Sequence, residues 1–403
     1  MEQLLRKLGI NPNQDNESIL GELGKKQMEY LDRLDNVEDK KRRAQLEAEL
    51  KEMEGIINTL SWLTKRSETG MKREKAESFE ELKGTSEEKK VEQLSTDVAE
   101  KTPQKTEEEL YDEALAVMAT PDYAKGVEMM RKLAESGYHW AQRQMGKLYF
   151  EGNRVPKDES VAVEWYQKAA EQGNAEAQSC LGHRYRDGVG VAQNDVLAVE
   201  WYQKAANQGD ATAQCSLGWM YEFGRGVLQN DGFAVEWYQK AANQGDVTAQ
   251  CNLGWMYENG RGVLQNDGFA VEWYQKAANQ GNARAQCKLG WMYEVGRGVV
   301  QNDRLAVEWY QKAANQGDAY AQCNLGGMYA NGRGVLQNDG LAAEWYQKAA
   351  NQGNAGAQCN LGWMYEFGRG VVQNRGLAVE WYRKAANQGE TTAINNLKNM
   401  GLW

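Results

Sequence analysis

Histidine and cysteine are scarce in this chain, which has 2 histidines and 6 cysteines among its 403 residues. His139 and His183 stand far apart, and no two cysteines have the Cys-x-x-Cys spacing of metal sites and redox motifs. The sequence also lacks a nucleophile elbow and a phosphate-binding glycine loop. These absences argue against an enzyme and against a bound metal or cofactor.

A net positive charge and long apolar runs are missing as well. The net charge of -10 argues against a nucleic-acid partner, which normally requires a basic face. No apolar run approaches the roughly 20 residues of a membrane-spanning helix. The first residues, MEQLLRKLGINPNQDN, contain no signal-peptide core. We therefore expect a cytoplasmic protein that does not insert into a membrane.

The sequence is rich instead in copies of one unit. A fixed period of this kind indicates stacked supersecondary units that bury their cores only against their neighbours. Positions within a unit are numbered from 1 to 36 below. Six complete copies follow one another without insertion, and they begin at Ala175, Ala211, Val247, Ala283, Ala319 and Ala355.

The first half of each unit has the pattern of a helix, here called helix A. In the unit from Ala211, the apolar residues Ala213, Leu217 and Tyr221 recur at i, i+4 and i+8. Gly224 then tolerates a positive φ where the stripe stops, as is typical of a helix C-terminus.

The second half of the unit predicts helix B. Asn230 or Asp231 is the expected N-cap. The stripe that follows includes Trp237 and Tyr238 at the spacing of a buried helical face, so we expect both side chains in the core.

The unit resembles the Sel1-like repeat, a close relative of the tetratricopeptide repeat. The resemblance covers residues 139–390 and half a unit before them. It implies an all-α fold, a right-handed superhelical solenoid of about seven repeats that holds protein partners, with helix A on the concave side. The residues that carry it in one unit are Ala213, Leu217, Gly218, Tyr221, Gly224, Gly226, Val227, Ala234, Trp237, Tyr238, Ala241, Ala242 and Gly245.

Cysteine use separates this chain from the secreted members of that family, which have two cysteines per unit that bridge the helices. With one cysteine per repeat we expect free thiols and a reducing compartment. The six are Cys180, Cys215, Cys251, Cys287, Cys323 and Cys359.

Four further segments flank the array. Residues 1–64 predict a small helical domain, either a hairpin used for self-association or a fold that faintly resembles a J domain without its His-Pro-Asp motif. Residues 65–108 are dense in charge and predict a mobile linker. Residues 109–138 predict a diverged helical cap around Pro121. Residues 391–403 predict a C-terminal capping helix that ends on Leu402 and Trp403.

The candidate binding residues follow from helical geometry. With about 100° per residue and position 7 in the core, positions 2, 5, 9 and 12 of helix A point away from helix B. We predict that these positions line a concave partner-binding groove. Its residues are Trp219, Trp255, Trp291 and Trp363 (with Gly327 as an interruption), Glu222, Glu258, Glu294 and Glu366 (with Ala330 as an interruption), Cys215, Cys251, Cys287, Cys323 and Cys359, and Tyr320.

Each row has two interpretations. The tryptophans form a ladder that either anchors an extended peptide or staples neighbouring repeats together. The glutamates are either solvated or make the groove acidic, which suits a basic or amphipathic segment. A row of arginines at position 15 is expected to bond the last carbonyls of helix A, with phosphate binding as the alternative. That row is Arg225, Arg261, Arg297, Arg333 and Arg369.

These features predict a non-enzymatic scaffold or adaptor that binds a protein or peptide segment in the concave groove. Two other functions are compatible with the sequence. A carbohydrate or cell-wall binder would stack sugars on the tryptophans, and a J-like co-chaperone would hold its clients in the array.

Overall fold

The computed structural model describes Lys26 and residues 105–402, and the latter range folds into helices throughout. Odd-numbered helices are A helices and even-numbered helices are B helices. The helices are α1 Glu107–Met118, α2 Tyr123–Glu135, α3 His139–Glu151, α4 Glu159–Glu171, α5 Ala175–Asp187, α6 Asp195–Asn207, α7 Ala211–Phe223, α8 Asp231–Asn243, α9 Val247–Asn259, α10 Asp267–Asn279, α11 Ala283–Val295, α12 Asp303–Asn315, α13 Ala319–Asn331, α14 Asp339–Asn351, α15 Ala355–Phe367, α16 Arg375–Ala386 and α17 Thr391–Asn399.

Each helix packs against the helices before and after it in the chain, which makes the array an α-solenoid. The predicted all-α repeat fold is therefore confirmed. The helix ends are also where the sequence places them. Asn230 caps α8 by accepting a hydrogen bond from the Phe233 amide at 3.0 Å, and Gly224 ends α7 with a φ of 64°.

The two halves of a unit pack closely because position 8 is glycine. A Cβ atom on Gly254 would lie 2.8 Å from the ring of Tyr274, so any side chain here would push helix B away from helix A. Glycine is also required at position 226, for a different reason. Its φ is 69°, and a Cβ atom there would lie 2.2 Å from the carbonyl oxygen of Asp195 in the preceding repeat.

A separate hydrophobic core lies at each junction between repeats. One such core joins Tyr238 of α8, Leu253 and Met256 of α9, and Trp273 of α10. Since each core draws on two repeats, no single unit encloses a core by itself.

A row of buried glutamines, not predicted from the sequence, joins neighbouring repeats by hydrogen bonds. The amide of Gln214 donates to the Ala206 carbonyl of the preceding repeat at 3.1 Å and its oxygen accepts from Gln244 at 2.8 Å. The sequence signal for these hydrogen bonds is the glutamine at positions 4 and 34 of every unit. The same pair of bonds recurs at Gln142, Gln178, Gln250, Gln286, Gln322 and Gln358.

The flanking segments are described in part. The predicted domain 1–64 lies outside the described residues, except for Lys26, as does the linker up to residue 104. Helix α1 begins at Glu107, inside the predicted linker, because Thr106 and Glu109 form a capping box. At the other end, Leu397 of α17 is buried whereas Leu402 is 40% exposed, so Leu397 closes the last core. Trp403 lies outside the described residues.

No helix in residues 105–402 combines the length and the apolar character that a bilayer crossing requires. In the same range, no cluster of histidine, cysteine and carboxylate side chains has the grouping that a metal ion would need.

Candidate functional site

The side of the A helices that faces away from the B helices is called the A face here. Cavities of about 400, 350 and 280 Å³ open on it, and each draws residues from successive repeats. The largest lies between α11 and α13. Its lining residues are Glu258, Arg284, Cys287, Lys288, Trp291, Asp318, Tyr320 and Asn324.

The predicted tryptophan ladder lies on the A face, but Trp219, Trp255 and Trp291 are half-buried. Trp255 packs against the cores of two successive junctions, and Trp219 and Trp291 do the same. These contacts favour the stapling interpretation for three members. Trp363, at 39% exposed, is the most accessible member of the ladder.

An arginine covers one face of each of these rings. The guanidinium carbons of Arg225, Arg261, Arg297 and Arg369 lie between 5.1 and 5.4 Å from the ring centroid of the tryptophan in the same unit. Such cation–π contacts hold the indoles against the repeat stack.

The prediction that the glutamates point away from helix B is wrong. Glu222 and Glu258 are only 6% exposed, and each accepts a hydrogen bond from a helix B tyrosine. Glu294 and Glu366 accept the equivalent bond. The distances for the four pairs lie between 2.6 and 2.7 Å. These carboxylates are thus bonded within the fold and do not make the groove acidic.

The reason lies in position 8. Position 12 is one turn further along the same side of helix A as the position 8 glycine. The ring of Tyr274 lies across Gly254 and carries its hydroxyl to Glu258, where the oxygens are 2.6 Å apart. Burial and this carboxylate raise the pKa of the Tyr274 hydroxyl, which stays protonated as the donor. The angular positions of residues on one isolated helix do not show how far a side chain of the neighbouring helix extends toward them.

The expected role of the position 15 arginines also needs correction. Arg225 does not bond the carbonyls of its own helix A but binds Asp195 of the preceding repeat through two bonds of 2.7 and 2.8 Å. Arg297 and Arg333 additionally reach a carbonyl near the end of the preceding A helix. The same carboxylate pair recurs at Arg261–Asp231, Arg297–Asp267, Arg333–Asp303 and Arg369–Asp339.

We expect a modest coupling between the partners of this ladder, because both are about a third exposed. In a double-mutant cycle, Arg261→Ala and Asp231→Ala should show a coupling energy of about 1 kcal/mol, since the pair is bidentate but in contact with solvent. Urea unfolding of the four variants measures it. A coupling below about 0.3 kcal/mol would mean that the ladder orients the loops without stabilising them.

The cysteines are largely covered, although Cys215 and Cys287 lie at the walls of two A-face cavities. Cys215, Cys251 and Cys359 are buried against the next repeat, and Cys287 and Cys323 are half-buried. The neighbouring A helix covers position 5, a contact that one helix considered alone does not reveal. All six cysteines, including Cys180, are free in the structure.

Burial makes these thiols poor nucleophiles. It raises the pKa of Cys251 and Cys359 to about 11, from an ordinary value of 9.0. At pH 8 the thiolate fraction should fall by about a hundredfold, and alkylation should slow accordingly. Mass spectrometry after timed iodoacetamide treatment should show little modification in the folded state and six modified thiols in urea. Rapid modification of the folded protein at pH 8 would contradict this assignment.

The remaining site residues differ in exposure. Tyr320 is 72% exposed on the A face. Tyr238 is fully buried, as predicted, whereas Trp237 is half-buried and not part of the sealed core. The Trp237 ring packs on the core of the preceding junction. The Lys240 ammonium covers that ring at 3.9 Å from its centroid.

Comparison with known proteins gives this repeat its family. The model of the Sel1 repeat matches eight segments, 111–138, 141–174, 175–210, 211–246, 247–282, 283–318, 319–354 and 355–390. The chain belongs to the Sel1 repeat family. The first match covers the helical pair α1–α2, which the sequence analysis described as a diverged cap.

Two crystal structures are similar to this Sel1 repeat protein. One is a protective antigen present in uropathogenic Escherichia coli strains that displays an SLR fold, with 37% identity and a TM-score of 0.67 over 73% of this chain and 64% of that one. The other is a Sel1 repeat protein from Oxalobacter formigenes, with 36% identity and a TM-score of 0.57 over 73% and 86% of the two chains. This chain therefore spans just under two thirds of the Escherichia coli antigen. No curated protein sequence gave a significant match.

Members of this family have a general role in common. Sel1 repeat proteins are generally scaffolds for protein interactions and generally do not catalyse reactions.

Proposed function

We propose that this Sel1 repeat protein is a non-enzymatic scaffold that binds an extended segment of a protein partner along its A face. The observation that carries the proposal is the pattern of variation among its nearly identical A helices. In α7, α9, α11, α13 and α15, positions 3, 4, 7, 8, 10 and 11 are always Ala, Gln, Leu, Gly, Met and Tyr. Those side chains pack or bond between helices.

Three positions on the A face differ from repeat to repeat. Position 2 is largely exposed, position 6 lies beside the cavities and position 13 is exposed at the helix end. A solenoid that repeats its scaffold and varies one surface presents a different set of contacts at each repeat. The variable residues are Thr212, Thr248, Arg284, Tyr320 and Gly356; Ser216, Asn252, Lys288, Asn324 and Asn360; and Phe223, Asn259, Val295, Asn331 and Phe367.

A protein segment fits this surface better than a sugar. Carbohydrate stacking needs an open aromatic face, whereas an arginine covers one face of each ladder indole and Trp219, Trp255 and Trp291 also pack against the cores. Free thiols suit a reducing compartment, and this supports our proposal of a cytoplasmic location.

Site-specific photo-crosslinking tests the proposal. A benzophenone amino acid replaces Asn252 or Asn324 on the A face of the full chain, with Gln239 and Gln311 on helix B as matched controls. We expect both A-face positions to give a covalent adduct with the same cellular protein and the two controls to give none. Adducts from the controls alone, or from neither surface, would overturn the proposal.

A further inference from the structure

Among the nearly identical A helices α7, α9, α11, α13 and α15, one differs from the others at two positions at once. The ladder tryptophan and the buried glutamate are both missing from α13, where Gly327 and Ala330 stand at positions 9 and 12. The A helices α7, α9, α11 and α15 each have both residues. Because the two lie one turn apart on the helix, their joint loss removes neighbouring side chains from α13.

The loss of the glutamate leaves a buried tyrosine without its acceptor. Tyr346 is only 5% exposed and occupies the place from which four other tyrosines donate to a carboxylate. A Cβ atom placed on Gly327 would meet only the Tyr346 hydroxyl, at 3.5 Å. This hydroxyl therefore faces the space that the indole would otherwise occupy. A hydroxyl that points into this space from a buried ring can donate to an acceptor that enters it.

The loss of the tryptophan leaves an arginine without its ring. Arg333 keeps its ion pairs with Asp303 at 2.8 Å and Glu294 at 2.7 Å, so its guanidinium is fixed in place as in the other repeats. Because Gly327 stands at position 9, α13 has no indole that could pack against the Arg333 guanidinium. An aromatic ring that enters this space would meet a cation already held in position.

The surroundings indicate the charge of the ligand. The cavity of about 400 Å³ reaches α13, and Tyr320 stands 72% exposed at its edge. Among its charged residues, Lys288 and Glu258 pair at 3.2 Å and Asp318 caps α13. Asp318 and Arg284 carry opposite charges, so the charges at this cavity balance.

Beside the missing glutamate the charges do not balance. Arg261 and Arg333 each pair with the position 12 glutamate of the preceding repeat. Arg369 has Ala330 at that place and pairs, among the described residues, with Asp339 alone.

From these contacts we infer that the repeat formed by residues 319–354 is completed by its partner. An aromatic side chain of the partner occupies the place of the missing indole beside Arg333, and a neighbouring carboxylate accepts the hydrogen bond of Tyr346. The partner segment is therefore acidic and carries an aromatic residue, in contrast to the basic segment that the glutamate row had suggested. This inference rests on the proposed function and names the chemistry of its ligand.

The test uses the full chain and a labelled peptide, Gly-Glu-Trp-Glu-Gly, with binding followed by fluorescence anisotropy. Two control peptides replace the glutamates by glutamine or the tryptophan by alanine. We expect the first peptide to bind the protein at least tenfold more tightly than either control. Equal binding of all three peptides would overturn the inference. No detectable binding of the first peptide at about 1 mM, a concentration typical of weak peptide affinities, would overturn it too.

A variant that restores the repeat pattern locates the site. Gly327→Trp with Ala330→Glu gives α13 the two residues that α7, α9, α11 and α15 already carry, so the variant should fold and should lose at least tenfold in affinity for the peptide. Gln311→Glu, on helix B, changes the net charge by the same amount as the filled variant; it is the matched control and should bind as the original protein does. Unchanged binding by the filled variant would refute this location.

Tyr346→Phe tests the hydrogen bond separately. It keeps the ring and removes the donor, so the preference for the glutamate peptide over the glutamine peptide should shrink by about threefold or more. An unchanged preference would contradict the role of the hydroxyl. If the peptide fails while crosslinks from Asn252 persist, the A face binds a partner of other chemistry and this inference alone falls. If the crosslinks fail too, the proposed function falls with it.

Discussion

Tyr274→Ala should lower the free energy of unfolding by about 4 kcal/mol, because it removes a fully buried ring from the contact between two helices. The ring lies across Gly254, and the three atoms nearest to a Cβ placed on that glycine all belong to Tyr274. The change also leaves Glu258 buried without its hydrogen bond from the tyrosine. Urea unfolding followed by circular dichroism gives the loss.

Tyr274→Phe separates the two contributions. It preserves the packing and removes only the donor, so the loss should be about 1 to 2 kcal/mol, with Lys288 still 3.2 Å from Glu258. Hydrogen exchange should show the loss of protection concentrated in α9 to α11. If the phenylalanine variant were as unstable as the alanine variant, the buried carboxylate and not the ring would dominate this junction.

The second large effect concerns the ladder, where two tryptophans should behave differently. Trp255→Ala removes contacts with the cores of two junctions, and we expect a loss of about 2 to 3 kcal/mol. Trp363→Ala, in a residue that is 39% exposed, should cost about 1 kcal/mol. Thermal and urea unfolding of the two variants give the comparison. Equal losses would mean that burial between repeats does not determine the role of a ladder residue.

The elements of this fold were predictable because their signals are local. The stripe from Ala213 to Tyr221 and the glycine at 224 lie within one helix and its end, and they act through backbone geometry that repeats in every unit. The N-cap Asn230 belongs to the same class of signal. Thirty-six residues of sequence were therefore enough to define the helical pair.

The contacts of the candidate site were not predictable in the same way. Arg225 bonds Asp195 in the preceding repeat, and Glu222 bonds Tyr238 across two helices. Helical angles place a side chain on one helix, but they do not give the position of the residue that reaches it from the next. The sequence did show Gly327 and Ala330 as interruptions of their rows. Their meaning depends on Tyr346, whose hydroxyl faces the gap only once helices A and B are packed.

The glutamine and arginine ladders have a consequence for the number of repeats. Most of their bonds join residues 30 apart in the chain, and the pattern recurs along the array. Removing or inserting one whole unit therefore rejoins the same ladder partners, and unequal recombination between the repeated gene segments preserves these ladder bonds. Such an exchange alters only how many different A-face residues the protein presents and in what order. The length of the array can thus change by whole units during evolution while the packing rule stays constant.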